Sequence, residues 1–333
     1  MASDLRVSPG WHYEDAEDAA IALEQLLTKY GISIQSGSPF EERVLAVMKL
    51  VGQKRTRSSS SDGDIRPAYR TLVGIHELAT LILASDAFPS FHALIPHLRL
   101  LNQGSALQTI PSAGTDQATN KLFELFVGAL AVQCGTDVLM DDPFTSKGDN
   151  PDVLATLGRR RWGLACKVLH GESPEGFIHH LEKGLDQIER SPAEVGAVIF
   201  NLKNIFPHEE IWPMAAIPNT DPPEDGPGIW SDARAPYEIL MSTLEEVGDS
   251  LLSYLPQGYL DELFVGKKSI PGFLVWAHSV SGVSIDGRPT AASVRALNCK
   301  QVGAIPDDVR NVIKCLNWAA FTGAPDRGPR PSC

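Results

Sequence analysis

Three side chains suited to chemistry at charged groups lie within one stretch of the sequence. Glu124 falls in a segment whose apolar residues recur at helical spacing. Asp152 follows Pro151 at the start of an alternating segment, and Lys167 ends a short apolar run. Carboxylates bind hard divalent cations, and an ammonium group stabilises developing negative charge. These residue types therefore suit chemistry at a group such as a phosphate, provided that the fold brings them together.

Four predicted elements position these residues. The first is an amphipathic helix from Thr115 to Cys134, which carries Glu124. The other three are short strands with β-branched or alternating apolar residues. An antiparallel hairpin of the second and third strands brings Asp152 and Lys167 to the same end. The three strands are predicted at 138–140, 152–157 and 162–169.

This arrangement resembles the PD-(D/E)xK nuclease superfamily, which has the restriction-endonuclease-like fold. In that family a helix Glu, the Asp of a Pro-Asp pair and an acidic-x-Lys tripeptide gather round one or two divalent cations. Glu124, Asp152 and Lys167 match these three features. The family often carries a Gln in the following helix, and Gln187 matches it. A helix predicted at 174–190 and a strand at 195–202 complete the family's order of helix, three strands, helix and strand.

The resemblance implies an endonuclease that cleaves phosphodiester bonds, expected to be in DNA, with Mg²⁺ or Mn²⁺ as cofactor. It assigns Glu124, Asp152 and Cys166 to the metal, Lys167 to the attacking water and Gln187 to a supporting role. The thiol of Cys166 is expected to point into the opposite layer, since side chains alternate along a strand. Bacterial proteins of this build often serve in anti-phage defence, which is an expectation from the family alone.

One catalytic position departs from the family pattern. Ala165 stands two residues before the Lys, where the family has Asp or Glu. Loss of that carboxylate weakens metal binding, so we expect the chain to be inactivated here. Three explanations stay open: deliberate replacement, which the otherwise intact set favours, loss of catalysis in the lineage, or a substitute carboxylate from Asp142 or Asp149. The alternative function is a catalytically dead nuclease-fold protein that acts as a nucleic-acid-binding or protein scaffold module.

Charge limits how the chain could bind nucleic acid. The formal net charge of -12 argues against a protein that coats nucleic acid through bulk charge. A local patch is predicted instead at the turn formed by Arg159, Arg160 and Arg161, with Lys147 in the preceding loop. These side chains would clamp the DNA backbone beside the metal centre. A solubilising turn is the alternative interpretation.

Length and composition predict two domains in an α/β chain. The 333 residues divide into a helical N-terminal domain at 1–110 and a nuclease-like domain at 115–333 with a C-terminal extension. The second domain is expected to hold a central mixed sheet flanked by helices. The N-terminal domain would dock a partner protein or a second copy of the chain. Cysteines without C-x-x-C spacing, and the lack of a signal pattern or of an apolar run of about 20 residues, predict a cytoplasmic protein without a membrane span.

Two histidines are assigned from their local sequence. His97 lies in a helix predicted at 91–102 without a matching carboxylate and is expected to be structural. His278 lies in an apolar strand predicted at 273–283 and would face either the core or the site, with the core favoured.

Overall fold

The computed structural model describes residues 12–55, 64–112, 116–214, 227–256 and 258–321. Over these ranges the chain is an α/β protein, with a six-stranded mixed sheet flanked by helices and a helical N-terminal region. The predicted class is therefore confirmed at this level. Thr115, the predicted start of the helix that carries Glu124, lies outside the described residues, and that helix begins at Gln117.

The six strands follow one another across the sheet in chain order. Neighbouring strands are antiparallel among the first three and parallel from the third to the fifth, and the last two form a long antiparallel hairpin. A parallel pair needs a crossover connection, and a helix between the third and fourth strands provides it for that pair. The strands are β1 (Thr136–Met140), β2 (Val153–Leu157), β3 (Arg160–Val168), β4 (Val195–Asn201), β5 (Gly272–Ile285) and β6 (Arg288–Gln301).

Helices cover both faces of the sheet. One hydrophobic core joins the N-terminal helices to the helix that carries Glu124 and to one face of the strands, and a second joins helices Pro174–Arg190 and Arg234–Ser253 to the other face. The helices are α1 (Tyr13–Lys29), α2 (Pro39–Arg55), α3 (Arg66–Ser85), α4 (Ile95–Leu98), α5 (Gln117–Cys134), α6 (Pro174–Arg190), α7 (His208–Ile211), α8 (Arg234–Ser253), α9 (Tyr259–Phe264) and α10 (Asp307–Ala319). None of those in the described ranges combines the length and apolar character that a membrane-spanning helix requires.

Local sequence explains the two helices nearest the candidate site. The carboxylate of Asp116 accepts the N–H of Thr119 at 2.9 Å and so caps α5. Almost the whole of α5 is buried, because the N-terminal helices pack on the side that the sheet leaves open. Helix α6 begins after Ser173, whose hydroxyl accepts the N–H of Gly176 at 3.2 Å. Its observed range equals the predicted one, because its apolar stripe and its N-terminal cap both favour a helix over this segment.

His278 lies in the core, as the sequence favoured. Its side chain is buried in β5, and Nε2 lies 2.9 Å from the hydroxyl of Ser293 on the paired strand. Burial, with a smaller contribution from His208, lowers the pKa of His278 to about 3. The imidazole is therefore neutral in the folded protein at all but strongly acidic pH.

We expect this burial to make the free energy of unfolding depend on pH. The ordinary pKa of His278 is 6.5, so the unfolded chain takes up a proton first as the pH falls from there to about 3. The contribution of His278 falls by about 1.4 kcal/mol for each pH unit in that window. Urea unfolding at pH 7.5, 5.5 and 4.5 should show a shallower loss in His278→Gln than in the natural chain. The exposed His179→Gln should keep the natural slope, and an equally steep loss in His278→Gln would contradict the argument.

Candidate active site

Three buried polar residues from neighbouring elements meet at one end of the sheet. Glu124 comes from α5, Asp152 immediately precedes β2, and Lys167 lies near the end of β3. The carboxyl groups of Glu124 and Asp152 are close enough for each to influence the pKa of the other. Lys167 Nζ lies 3.8 Å from Asp152 Oδ2. The structure thus brings together the three residues that the sequence pattern selected.

Asp152 is held where the pairing between β2 and β3 stops. The last paired residue of β2 is Val153, opposite Leu164. One position further, the side chain of Asp152 takes the place of a backbone acceptor: its Oδ2 accepts the N–H of Cys166 at 2.6 Å. Pro151 has no N–H and cannot extend the ladder. The Pro-Asp pair therefore ends the strand and fixes the carboxylate against β3.

Gln187 connects Lys167 to the loop between β1 and β2. Its Oε1 accepts from Lys167 Nζ at 2.7 Å, and its Nε2 donates to the carbonyl of Gly148 at 2.9 Å. Gly148 has a φ of 72°, a left-handed conformation that favours glycine. The buried amide therefore orients the ammonium of Lys167 and holds the loop over the site.

Glu124 has two further partners that the sequence did not reveal. Lys121 Nζ lies 2.9 Å from its Oε1, and His97 Nε2 lies 3.1 Å from its Oε2. The expectation that His97 lacks a carboxylate partner is wrong, because the partner is brought by the fold from a distant helix. Lys121 stands three residues before Glu124 on α5, where side chains share a face. That spacing was the one sequence signal that could have found either residue.

Burial and like charge set the electrostatics of the carboxylates. Burial raises the pKa of Glu124. Burial, together with the charge of Glu124, raises the pKa of Asp152 to about 6. Burial lowers the pKa of His97 to about 4, so its neutral imidazole donates a hydrogen bond to Glu124 at pH 7. A nearby cation stabilises the ionised form of two buried carboxylates whose pKa values are raised. The pair is therefore a candidate functional site.

Cys166 differs from the two carboxylates as a candidate ligand. Its side chain packs into the core on the α5 face, while the neighbouring Ala165 faces α6, as strand alternation requires. Burial raises the pKa of the Cys166 thiol well above its ordinary value, which disfavours the thiolate that binds metals. In the described part of the chain, no group of three or more His, Cys, Asp or Glu side chains is arranged to hold a metal ion.

The remaining donors still fit a hard divalent cation. Mg²⁺ commonly takes one or two protein carboxylates and completes its shell with water and substrate oxygens. Glu124 and Asp152 provide two carboxylates that share Lys121 as a neighbour. They are the residues that would hold Mg²⁺ or Mn²⁺ at this site.

Ala165 lies in a close apolar contact between β3 and α6. Its side chain is fully buried in the same core as Val198. A Cβ built at Gly184 of α6 would lie 3.4 Å from the Cβ of Ala165 and 2.8 Å from Cγ2 of Val198. The helix therefore approaches the sheet so closely that position 165 has little room for a longer side chain.

The two substitute carboxylates considered from the sequence both lie in the loop after β1. Asp142 is exposed, and its Oδ1 accepts the N–H groups of Phe144 at 2.8 Å and Thr145 at 3.1 Å. Its carboxylate therefore stabilises a turn of the loop. Asp149 is an exposed residue of the same loop.

The arginine turn lies away from the carboxylates, so its expected position beside the metal centre is wrong. β2 and β3 are joined by this turn at one end, while Asp152 and Lys167 lie at the other. At ~3.3 Å per residue, Arg160 and Lys167 are roughly 23 Å apart along β3. Arg160 pairs with Asp308 at 2.7 Å, and Arg161 donates to the carbonyl of Asp137 at 2.6 Å.

Lys147, by contrast, lies near the site. It is exposed beside Gly148, whose carbonyl accepts the hydrogen bond from Gln187. Lys183 of α6 is close as well, since a Cβ built at Gly148 would lie 3.6 Å from its Nζ. Of the four residues predicted to bind nucleic acid, Lys147 is near the carboxylates, and Arg159 is exposed in the distant turn.

Comparison of the chain with protein-family models, curated proteins and solved structures finds no match.

We expect Ala165→Glu to destabilise the protein by about 3 kcal/mol, because it forces a longer, charged side chain into an apolar contact. Urea unfolding at pH 7.5 measures this loss. The matched change Ala46→Glu, at an exposed position of α2, should alter stability by less than about 0.5 kcal/mol. A fully stable Ala165→Glu protein would instead support the interpretation that an acidic residue was replaced at this position.

Proposed function

We propose that the protein hydrolyses phosphodiester bonds in DNA with Mg²⁺ or Mn²⁺ held by Glu124 and Asp152 alone, without a third carboxylate at position 165 and therefore with weakened metal binding. The observation that carries the proposal is the meeting of these two buried carboxylates with the ammonium of Lys167 at one end of the sheet. Each residue comes from a different element, so chance proximity along the sequence does not explain the cluster. Carboxylates with perturbed pKa values mark candidate functional sites, and a lysine beside them can stabilise the charge that develops on a transferring phosphate.

The arrangement of the elements supports the same proposal. Helix α5, strands β1 to β3, helix α6 and strand β4 follow the order of the restriction-endonuclease-like core, with β4 parallel to β3. We propose that this segment has that fold. Because one fold serves many functions, the site residues carry more of the functional argument than the element order does.

The residues of the chain have separate roles in the proposed reaction. A divalent cation bound at the site supplies positive charge at the scissile phosphate and makes water more acidic. Lys167 orients the attacking water or stabilises negative charge that develops on the phosphate. Gln187 positions Lys167 through its 2.7 Å hydrogen bond. Water adds across the P–O bond, leaving a phosphate monoester on one product and a hydroxyl group on the other.

Positive side chains around the loop support an anionic substrate. Lys147 and Lys183 are exposed near Gly148. Their charges offset part of the net negative charge of the protein at this place. We propose that this rim, rather than the arginine turn, contacts the DNA phosphates next to the scissile bond.

A second candidate function is DNA binding without cleavage. Two observations favour it: Ala165 packs as an apolar core residue, and Lys121 already supplies positive charge to the carboxylates. In that case the two lysines neutralise the buried carboxylates, and the cluster is structural. Both candidate functions use the same DNA-binding surface, but only the first includes cleavage of the DNA.

Asp152→Asn should abolish cleavage while leaving the fold intact. The amide keeps the size of the side chain, and its oxygen still accepts the N–H of Cys166, but it no longer provides a charged ligand. Lys167→Met should lower cleavage by at least about a hundredfold, the range found for removal of one stabilising group. Supercoiled plasmid, linear duplex, single-stranded DNA and RNA should be incubated with Mg²⁺, Mn²⁺ or EDTA.

Lys267→Met, at an exposed position after α9, is the matched control and should cleave as the natural chain does. Circular dichroism and thermal unfolding establish that each variant is folded. Equal cleavage by the natural chain and Asp152→Asn would rule out this site. DNA binding in fluorescence anisotropy with no cleavage under any metal condition would favour the second candidate function.

A further inference from the structure

A second positive side chain lies at the site beside Lys167 and has no role in the reaction proposed above. Lys121 Nζ is 2.9 Å from Glu124 Oε1, 3.1 Å from Glu124 Oε2 and 4.0 Å from Asp152 Oδ1. The ammonium therefore contacts both oxygens of one carboxylate and faces the other. This is the position that a cation shared by the two carboxylates would take.

The charges of the cluster balance with Lys121 in place. Glu124 and Asp152 carry two negative charges, and Lys121 and Lys167 carry two positive ones. The ammonium of Lys121 lies against Glu124 and faces Asp152, so its positive charge is close to both carboxyl groups. A divalent cation added to this arrangement would meet an ammonium at close range with little water between them.

The oxygens of Glu124 are also fully engaged. Both accept from Lys121, and Oε2 has His97 as an additional partner at 3.1 Å. His97 is neutral and buried, so it can hold Glu124 in place without repelling a metal ion. Lys121 has a flexible four-carbon stem, and its side chain is 26% exposed, so it can leave the site toward solvent.

We propose that Lys121 is an internal counter-ion, which a divalent cation must displace in order to bind Glu124 and Asp152. The inference rests on the proposed function, because it concerns the same metal site. Lys121 keeps the buried carboxylates compensated while no metal is bound. Its displacement lowers the apparent affinity of the site for the metal and moves a positive side chain outward, toward an arriving phosphate.

Mn²⁺ binding to the full chain tests the inference without relying on cleavage. Isothermal titration with Mn²⁺ at pH 7.5 gives the Kd for the natural chain and for Lys121→Met, which keeps most of the stem but removes the charge. Kd should fall at least about tenfold in Lys121→Met, because the competing ammonium is gone. Lys49→Met, at an exposed position of α2, removes the same charge elsewhere and should leave Kd unchanged.

Thermal unfolding provides a second measurement. Without metal, Lys121→Met should unfold at a lower temperature than the natural chain, because its carboxylates lack a counter-ion. Saturating Mn²⁺ should raise its midpoint by more than it raises that of the natural chain, since binding is tighter. Adding Asp152→Asn to Lys121→Met should remove that gain. Lys121→Gln serves as a second neutral variant if Lys121→Met does not fold.

The outcomes separate this inference from the proposed function. Tighter Mn²⁺ binding by the neutral variants, lost with Asp152→Asn, supports the displacement of Lys121. Equal or weaker binding by the neutral variants overturns it, while metal binding by the natural chain still supports the proposed function. No binding by any variant at millimolar Mn²⁺ overturns both and leaves DNA binding without cleavage as the function.

Discussion

Two carboxylates buried side by side require positive charge next to them, and the candidate site is organised around this requirement. The side chains of Glu124 and Asp152 are each 7% exposed, so water screens their repulsion poorly. Lys121 on α5 and Lys167 on β3 both lie next to the pair and balance its negative charge. An ionised pair without such partners would cost several kcal/mol. The packing of α5 against β2 and β3 therefore depends on these charges as well as on apolar contacts.

The end of the short strand β2 provides a further contact to one of these carboxylates. Because β2 begins only after Asp152, β3 has a free N–H at Cys166, and the carboxylate accepts it. Beyond that point β3 continues beside β4 and carries Lys167 into the space under the loop. Gln187 on α6 hydrogen-bonds to Lys167 and to the carbonyl of Gly148, and so connects the helix, the strand and the loop. A strand extended by one residue would pair the backbone instead and leave the carboxylate without this bond.

Because of this geometry, whether the protein is an enzyme or a binding module depends on the charges around Glu124 and Asp152. A cluster neutralised by its own lysines is stable without metal, and Ala165 adds no third carboxylate to attract one. A divalent cation gains access only if the carboxylates favour it over the ammonium of Lys121. His97 keeps Glu124 in position in either state, since it is neutral and bonded to one oxygen. In the proposed reaction, the negative charge of a bound phosphate would favour the metal-bound state.

The order and type of the elements could be predicted from local sequence, and so could the members of the central cluster. Apolar periodicity and caps are local properties, and for that reason α6 was predicted with its observed bounds. The Pro-Asp pair and the strand lysine identified Asp152 and Lys167 because a hairpin relates them through short-range geometry. Ala165 was visible as a departure from the pattern of the family that the sequence resembles, but its close packing against Gly184 was not.

Only the tertiary structure decided which side chains surround the carboxylates. His97 reaches Glu124 from a distant helix, and no local pattern encodes a contact between residues so far apart in sequence. The arginine turn was placed beside the site because it is close in sequence, yet a strand rises ~3.3 Å per residue and carries the two ends of a hairpin apart. The sequence by itself determined the elements and the residues that carry charge. Which charges face one another depended on how the helices pack on the sheet, because electrostatic contacts follow distance in space rather than along the chain.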